Sequence, residues 1–589
     1  MAEADKVKLT IDGVEVEAPR GSMVLEAALD AGIFVPHYCF HRALSVAGNC
    51  RMCMVEVWPR GRDGKPMGPP RKPSIACATE VADGMVVKTK SAMAHEARQG
   101  VLEFLLINHP LDCPVCDQAG ECDLQDFSFQ FGRGESRFRE EKAIKGAKDF
   151  GPEVRFYGNR CINCTRCVRF TQEIAGSSDL VQVHRGGRNV IDLADGAVFD
   201  HPLSGNVVDL CPVGALVSRD FLHKSRVWHL DRTDSVCPHC STGCNIEVHT
   251  QDEVVQRIKP RHNPHVNGYW ICDRGRLGYH HVHADDRLTA ARRNLGPEHE
   301  GEVSVRLSFQ EAIAEAGAAI ERAGERAYAI ANAWLTNEEL FALQTLWPTD
   351  RIGLIARPPG EEQRFYPKWG DAERNPSLPR QHERGKLYED GATFVIEADR
   401  NPNRTGALRI LGEQACSEQR LDAILSAALA GEVETLLVFS GMPDYHPPEV
   451  LTGALARVAN VIVVDLFDGP LARAASLVLP GAAVFEKRGT FTNGRGRTQR
   501  IDMARPTPGQ ARTELEILFA LGRALGRPLP SGSPKRLFEL LVEQNEAFAG
   551  LRWADTHHVA PAWSPHMAAA RKGLPVLASP CAGKGGSSA

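Results

Sequence analysis

Apolar and polar positions alternate at the start of the chain. The runs VKLTI and VEVEA flank Asp12-Gly13, a pairing that predicts a two-stranded hairpin. A helix is expected near Met23 to Ala31. After Cys53 the run MVEVW reads as a strand, and Ile75–Ala78 as a short apolar segment; the Gly-, Pro- and Arg-rich stretch Pro59–Pro73 between them reads as a surface loop. The period lengthens over His95 to Ile107, where Val101, Leu102, Leu105 and Leu106 fall on one helical face. From about Leu307 helices and strands alternate. Ser308-x-x-Glu311 is a capping box ahead of the Ile313, Ala316, Ile320 stripe, and Thr336-x-x-Glu339 a second ahead of Leu340, Leu343 and Leu346. Strands are predicted at Ala327–Ala331, Leu436–Ser440, Val461–Leu466 and Leu477–Leu479, with a helix near Pro448–Ala459. Apolar strands joined by helices imply a parallel α/β sheet. This half shows no internal repeat, and from about Arg571 the composition is that of a flexible tail.

Length changes this picture only by implying about three to five domains for 589 residues. A net charge of −5 argues against a nucleic-acid partner. The stretch MAEADKVKLTIDG has no apolar core of a secretory signal, and no apolar run approaches the roughly 20 residues of a membrane span. A cytoplasmic chain without direct membrane insertion is expected. No G-x-G-x-x-G follows a strand and no Walker A motif is present.

The chemistry lies in the cysteines. Fifteen of 17 fall within the first 272 residues, in four groups. In a reducing compartment such groups read as metal ligands rather than disulfides. The first is Cys39, Cys50, Cys53 and Cys77, set among the hairpin, helix and loop of a β-grasp ferredoxin; zinc is the competing reading, but the gaps are unlike a zinc ribbon's, and a [2Fe–2S] cluster is assigned. The second is His109, Cys113, Cys116 and Cys122. Three cysteines need a fourth ligand, and an imidazole in place of a thiolate removes a negative charge and raises the potential. The third is Cys161, Cys164 and Cys167 with Cys211-Pro212 downstream. It reads as a two-cluster ferredoxin reduced to one [4Fe–4S], with Thr171 where the fourth cysteine of the first motif would stand. The fourth is Cys237, Cys240, Cys244 and Cys272, whose C-x2-C-x3-C spacing favours [4Fe–4S] over zinc, with His239 as a bystander. Cys416 reads as an ordinary buried residue and Cys581 as part of the tail.

These motifs, NHPLDCPVCDQAGECDLQD, RCINCTRCVRFTQEIAG, DLCPVGAL, and VCPHCSTGCN with WICDRGR, resemble the large iron–sulfur subunit family of respiratory complex I (the 75 kDa type, of NADH–quinone oxidoreductase). LTNEE and EKRGTFTNGRGRTQ are similar to segments of the molybdopterin-oxidoreductase superfamily. The resemblance implies one [2Fe–2S] and three [4Fe–4S] clusters. Three of these would carry single electrons from a flavin subunit toward quinone; the fourth would lie off the main path. It implies partners in the flavin/NADH-binding subunit and other hydrophilic-arm subunits, and a peripheral place on the inner face of the cell membrane. No catalytic residue is expected on this chain alone. The gap from Cys53 to Cys77 is longer than the family's usual one. The carboxyl half is short for a molybdopterin enzyme and has Arg274 where many carry Lys, so no molybdopterin is expected. An iron–sulfur subunit of an NAD-linked formate dehydrogenase or hydrogenase complex is the alternative.

The expected fold is multidomain α+β and α/β. It comprises a β-grasp [2Fe–2S] domain (1–90), a histidine-containing [4Fe–4S] domain (91–140), an all-cysteine [4Fe–4S] ferredoxin-like domain (141–228), a molybdopterin-oxidoreductase-type [4Fe–4S] domain (229–290), a truncated α/β domain of that superfamily (291–565) and a flexible tail (566–589).

Overall fold

The computed structural model describes residues 5–58, 61, 70–295, 303–368 and 386–558. Most of the expected Pro59–Pro73 loop, and the whole tail with Cys581, lie outside these residues. No helix among them is long and apolar enough to cross a membrane.

The opening alternation folds as read. Strands Lys6–Ile11 and Val14–Pro19 pair antiparallel across a two-residue turn in which Asp12 (φ 49°) and Gly13 (φ 86°) both take left-handed backbone. Lys6–Ile11 also pairs parallel with Val86–Lys88, which pairs antiparallel with Met54–Trp58, and Ser74–Ile75 closes the edge. Helix Val24–Asp30 lays Leu25 and Ala28 on the Val7, Leu9, Ile11 face. This is a β-grasp sheet.

Helix Ala92–Ile107 starts at Ser91, whose side chain accepts from the Ala94 N–H. It buries Leu102 fully and Val101, Leu105 and Leu106 in part. Helix Asp123–Phe131 packs beside it. A three-stranded sheet of Leu216–Ser218, Val154–Tyr157 and Ala147–Asp149 follows, then an antiparallel sheet of Asp231–Val236, Asn245–Gln251 and Val254–Pro260.

The carboxyl half is a seven-stranded sheet in the order Ser304–Leu307, Ala291–Asn294, Leu477–Pro480, Asn460–Asp465, Thr435–Phe439, Ala327–Asn332, Ile352–Ile355. The last five are parallel, as the helix-separated apolar runs require. The first two are antiparallel, so the sheet is mixed, not purely parallel. Ala291–Asn294 reads ARRN and Ser304–Leu307, at the sheet edge, SVRL; both are partly exposed and carry no apolar run to announce them. Both expected capping boxes form, at Ser308/Glu311 and Thr336/Glu339. The helix expected near Pro448–Ala459 is shorter, Glu449–Leu455.

One apolar core runs from the Tyr38–Leu44 loop through all four cysteine groups to one face of this sheet; a second fills the opposite face. The cysteine loops are thereby built on the same packed body as the sheet.

Candidate iron–sulfur centres

Each set is assembled by local backbone devices. In the first, Cys53 leads into strand Met54–Trp58, and that strand's partner Ser74–Ile75 delivers Cys77 on a single 3-10 turn. Cys39, Cys53 and Cys77 are buried and Cys50 half-buried. The Cys39 N–H donates to Cys50 Sγ at 3.4 Å, and the Cys39 thiol lies within hydrogen-bond reach of Cys50 and Cys77. Arg51 at φ 59° turns the loop so that Cys50 and Cys53 face the same space.

In the second set His109 follows the end of helix Ala92–Ile107, Cys113 opens a 3-10 turn, and Cys122 caps helix Asp123–Phe131. Cys113 is exposed; Cys116 and Cys122 are buried. Burial, with Arg160 and Lys142 adding to it, brings the His109 pKa down to about 4. The ring is therefore neutral at pH 7, the form that ligates metal.

The third set lines one small pocket: Cys161, Cys164, Cys167 and Cys211 face it together with apolar Phe156 and Leu216. Left-handed Asn163 (φ 52°) and Thr165 (φ 60°) coil the C-x2-C-x2-C loop, turning three thiols inward. Cys211 enters from the end of helix Asn206–Leu210. The Asn163 N–H donates to Cys161 Sγ at 3.4 Å. Burial pushes Cys161 up to about 12 and Cys211 up to about 11. Thiolates here need a compensating cation, which cluster iron supplies when bound.

The fourth set is the most enclosed. Cys237 and Cys244 close the turn between strands Asp231–Val236 and Asn245–Gln251, the Cys237 N–H donating to the Cys244 carbonyl at 2.8 Å. Cys272 caps helix Asp273–Leu277 and accepts from the Gly275 N–H at 3.4 Å. A Cβ on Gly275 would stand 3.0 Å from Cys237 Sγ, so a side chain there would crowd the space between the thiols. The two superfamily-like segments hold this loop: Asn493 and Gln499 side chains donate to the Thr242 and Gly243 carbonyls at 3.1 and 2.9 Å. Glu338 of LTNEE takes the Thr490 N–H and hydroxyl at 2.8 and 2.7 Å.

The donor sets suit iron–sulfur ligation: thiols in apolar walls, backbone N–H groups on sulfur, and one neutral imidazole. Among the described residues no three such side chains meet at single-ion spacing.

Sequence reasoning missed what joins the sets. Helix Arg166–Phe170 carries Cys167 and two buried arginines. Arg169 donates through Nη2 to the carbonyls of Cys39 (2.5 Å) and Cys164 (3.4 Å) and through Nη1 to Ser45. Arg166 joins the carbonyls of Phe40 (2.6 Å) and Leu210 (3.1 Å). Ser45 in turn donates to Glu173 at 2.7 Å. The first and third sets are therefore spatial neighbours. The second also adjoins the third: the Asp123 N–H donates to the Pro212 carbonyl at 3.0 Å, and a Cβ on Gly214 would collide with Cys116 Sγ. Glu121, beside Cys122, makes a two-pronged pair with Arg257 at 2.9 and 3.0 Å, tying the second set to the sheet under the fourth.

Five family models match along the chain. They are a 2Fe-2S iron-sulfur cluster binding domain (residues 4–92), the NADH-ubiquinone oxidoreductase-G iron-sulfur binding region (98–137), the ferredoxin-like domain of NADH-quinone oxidoreductase subunit 3 (151–217), a molybdopterin oxidoreductase Fe4S4 domain (230–284) and molybdopterin oxidoreductase (405–524). The G-type subunit of NADH-quinone oxidoreductase from Rickettsia felis is 41% identical over 341 residues, 58% of this chain and 48% of that one; the chain thus spans about half the length of this relative. The mitochondrial NADH-ubiquinone oxidoreductase 78 kDa subunit of Neurospora crassa is 33% identical over 644 aligned residues, covering 92% of this chain and 84% of that one. A chain of a solved NAD+-reducing [NiFe]-hydrogenase shares 29% identity over 38% of this chain and 91% of its own; its TM-score of 0.33 is too low to bear on function.

Proposed function

The chain belongs to the family of the large iron–sulfur subunit of NADH–quinone oxidoreductase, and on that premise we propose that it relays single electrons from a flavin-bearing, NADH-oxidising subunit toward quinone. The observation that carries this is the contiguity of three cysteine sets: the first and second each abut the third, through Arg169 and Gly214. A one-electron wire needs such neighbours. Their spatial order, first to third to second, differs from chain order and is the path we assign.

We assign the ligands from the motifs. Cys39, Cys50, Cys53 and Cys77 hold a [2Fe–2S] cluster. Each remaining set, His109 with Cys113, Cys116 and Cys122; Cys161, Cys164, Cys167 and Cys211; Cys237, Cys240, Cys244 and Cys272, holds a [4Fe–4S] cluster. The clusters supply the redox chemistry; this chain's residues place them, exclude water and set their potentials through ligand type, burial and N–H donors to sulfur. The domain divisions follow these sets: 1–90, 91–140, 141–228, 229–290 and the α/β half, 291–565. We place the chain in the hydrophilic arm with the flavin subunit, peripheral to the inner face of the membrane. No molybdopterin enters the proposal. Cys416, the interior cysteine beyond Cys272, lies in the core on the sheet face opposite the fourth set, its thiol pushed up to about 12 by burial.

Metal and sulfide analysis of the full chain tests this. About 14 irons are expected, two in one cluster and four in each of three; zinc at the fourth set would remove its cluster from the assignment. In the assembled complex Cys164→Ala should abolish NADH-to-quinone flow and Cys240→Ala should spare most of it. Equal loss in two fully assembled variants would put the fourth cluster on the path.

A further inference from the structure

We propose that the carboxyl ends of strands Thr435–Phe439, Ala327–Asn332 and Ile352–Ile355 form a binding site for an oxyanion, either inorganic phosphate or the phosphate of a small molecule, with Arg357 and Trp334 as its donors. The site stands whether or not the cysteine sets carry clusters.

The topology supplies the crevice. From Ala327–Asn332 the chain passes outward to Ile352–Ile355, then returns to place Thr435–Phe439 on the other side of Ala327–Asn332. The connection after Ala327–Asn332 leads to Ile352–Ile355 and that after Thr435–Phe439 leads the other way, to Asn460–Asp465; where connections from two neighbouring strands diverge, a gap opens outside their carboxyl ends, and parallel α/β sheets bind ligands there. Trp334 and Arg357 each lie two residues beyond the ends of their strands.

Arg357 and Trp334 are buried donors that find no acceptor among the described residues. Arg357 is 7% exposed, and its Nε, Nη1 and Nη2 have no hydrogen-bond partner among the described residues. Its backbone is clamped by Asn401, which accepts from the Arg357 N–H at 2.8 Å and donates to its carbonyl at 3.0 Å. The guanidinium lies 4.8 Å from the centre of the Trp334 ring, and the Trp334 Nε1–H is also buried without a partner. The His239 ring stands edge-on to Trp334 at 6.0 Å and to His281 at 6.4 Å, so the crevice adjoins the Cys237–Cys240 loop. His281 Nδ1 contacts the Gly278 carbonyl at 2.6 Å, while its Nε2 is buried and unpartnered.

A guanidinium and an indole N–H offer donors only. Stacking on the Trp334 face offsets part of the cost of burying the charge, but leaves the in-plane N–H fork unmade. A tetrahedral oxyanion matches the fork with several lone pairs and opposite charge. The charge balance agrees: Arg274 stands beside Arg357, against exposed Asp444, which pairs with Arg274 at 3.7 Å.

Equilibrium dialysis of the phosphate-free full chain against labelled inorganic phosphate tests the site. One phosphate per chain is expected, bound about tenfold or more weakly in Arg357→Met, where every charge-assisted bond is lost. Trp334→Phe, which keeps the ring beneath the guanidinium and removes only the N–H, should weaken it about threefold; it decides the matter if Arg357→Met does not fold. Mass spectrometry of an acid extract of the protein as purified separates the sources. A stoichiometric phosphorylated small molecule, which would block the label until removed, identifies the organic source, and inorganic phosphate alone the free ion. A pterin phosphate would confirm the site and overturn the expectation that no molybdopterin is held. The proposal fails if neither the extract nor the dialysis shows phosphate, or if both folded variants bind as the parent does.

Discussion

Replacing Arg169 with Met should lower the midpoint potentials of the first and third clusters together. Arg169 Nη2 lies 2.5 Å from the Cys39 carbonyl and 3.4 Å from that of Cys164, one ligand of each set. Adding a cysteine side chain and half a cluster puts the guanidinium roughly 8 Å from each centre; a unit charge there contributes about 2 kcal/mol at an effective dielectric of about 20. For a one-electron couple that is about 90 mV. A cation favours the reduced, more negative cluster, so its removal shifts both potentials down. The buried carbonyls of Cys39 and Cys164 and the half-buried one of Ser45 also lose their donor, so a stability loss of about 3–5 kcal/mol should accompany the shift. The assay is a redox titration followed by electron paramagnetic resonance, with Arg169→Lys as the variant that keeps the charge. Unchanged potentials, or a shift in one cluster alone, would refute the bridge between the two sets.

His109→Cys should keep a [4Fe–4S] cluster at a lower potential, because thiolate adds negative charge; an unchanged spectrum and potential would remove His109 from the ligands. Lys487 is buried between Glu339 at 3.0 Å and Glu514 at 2.9 Å, so Lys487→Met strands two carboxylates and should cost about 3–5 kcal/mol in denaturant unfolding; a loss below about 1 kcal/mol would contradict the geometry. Burial raises the Glu338 pKa to about 7. The folded state then holds a proton that the unfolded state releases near pH 4.5, so stability should fall as pH rises from about 4.5 to 7 and level off above. The span is at most about 3 kcal/mol, and Glu338→Gln should flatten that part of the profile; a parallel profile in the variant would mean Glu338 is ionised when folded.

The residues proposed as ligands stood out in the sequence because most of each set lies in one local turn. A C-x2-C pair, a left-handed residue between cysteines and a helix cap place sulfur atoms within a few residues of one another. The same locality made the Asp12-Gly13 hairpin and the capping boxes at Ser308 and Thr336 readable. Strand Ile352–Ile355 escaped notice because four apolar residues have no period to distinguish them. Arg166 and Arg169 were not legible as bridges: among charged neighbours an arginine reads as a solvated group, and only the docking of the Cys39–Ser45 loop turns it into a buried donor. His239 read as a bystander, yet it is buried against Trp334, a residue 95 positions away. Short-range geometry is encoded where it occurs; which sets adjoin, and which side chains converge beyond the sheet, depends on contacts between segments far apart in the chain, which no local pattern records.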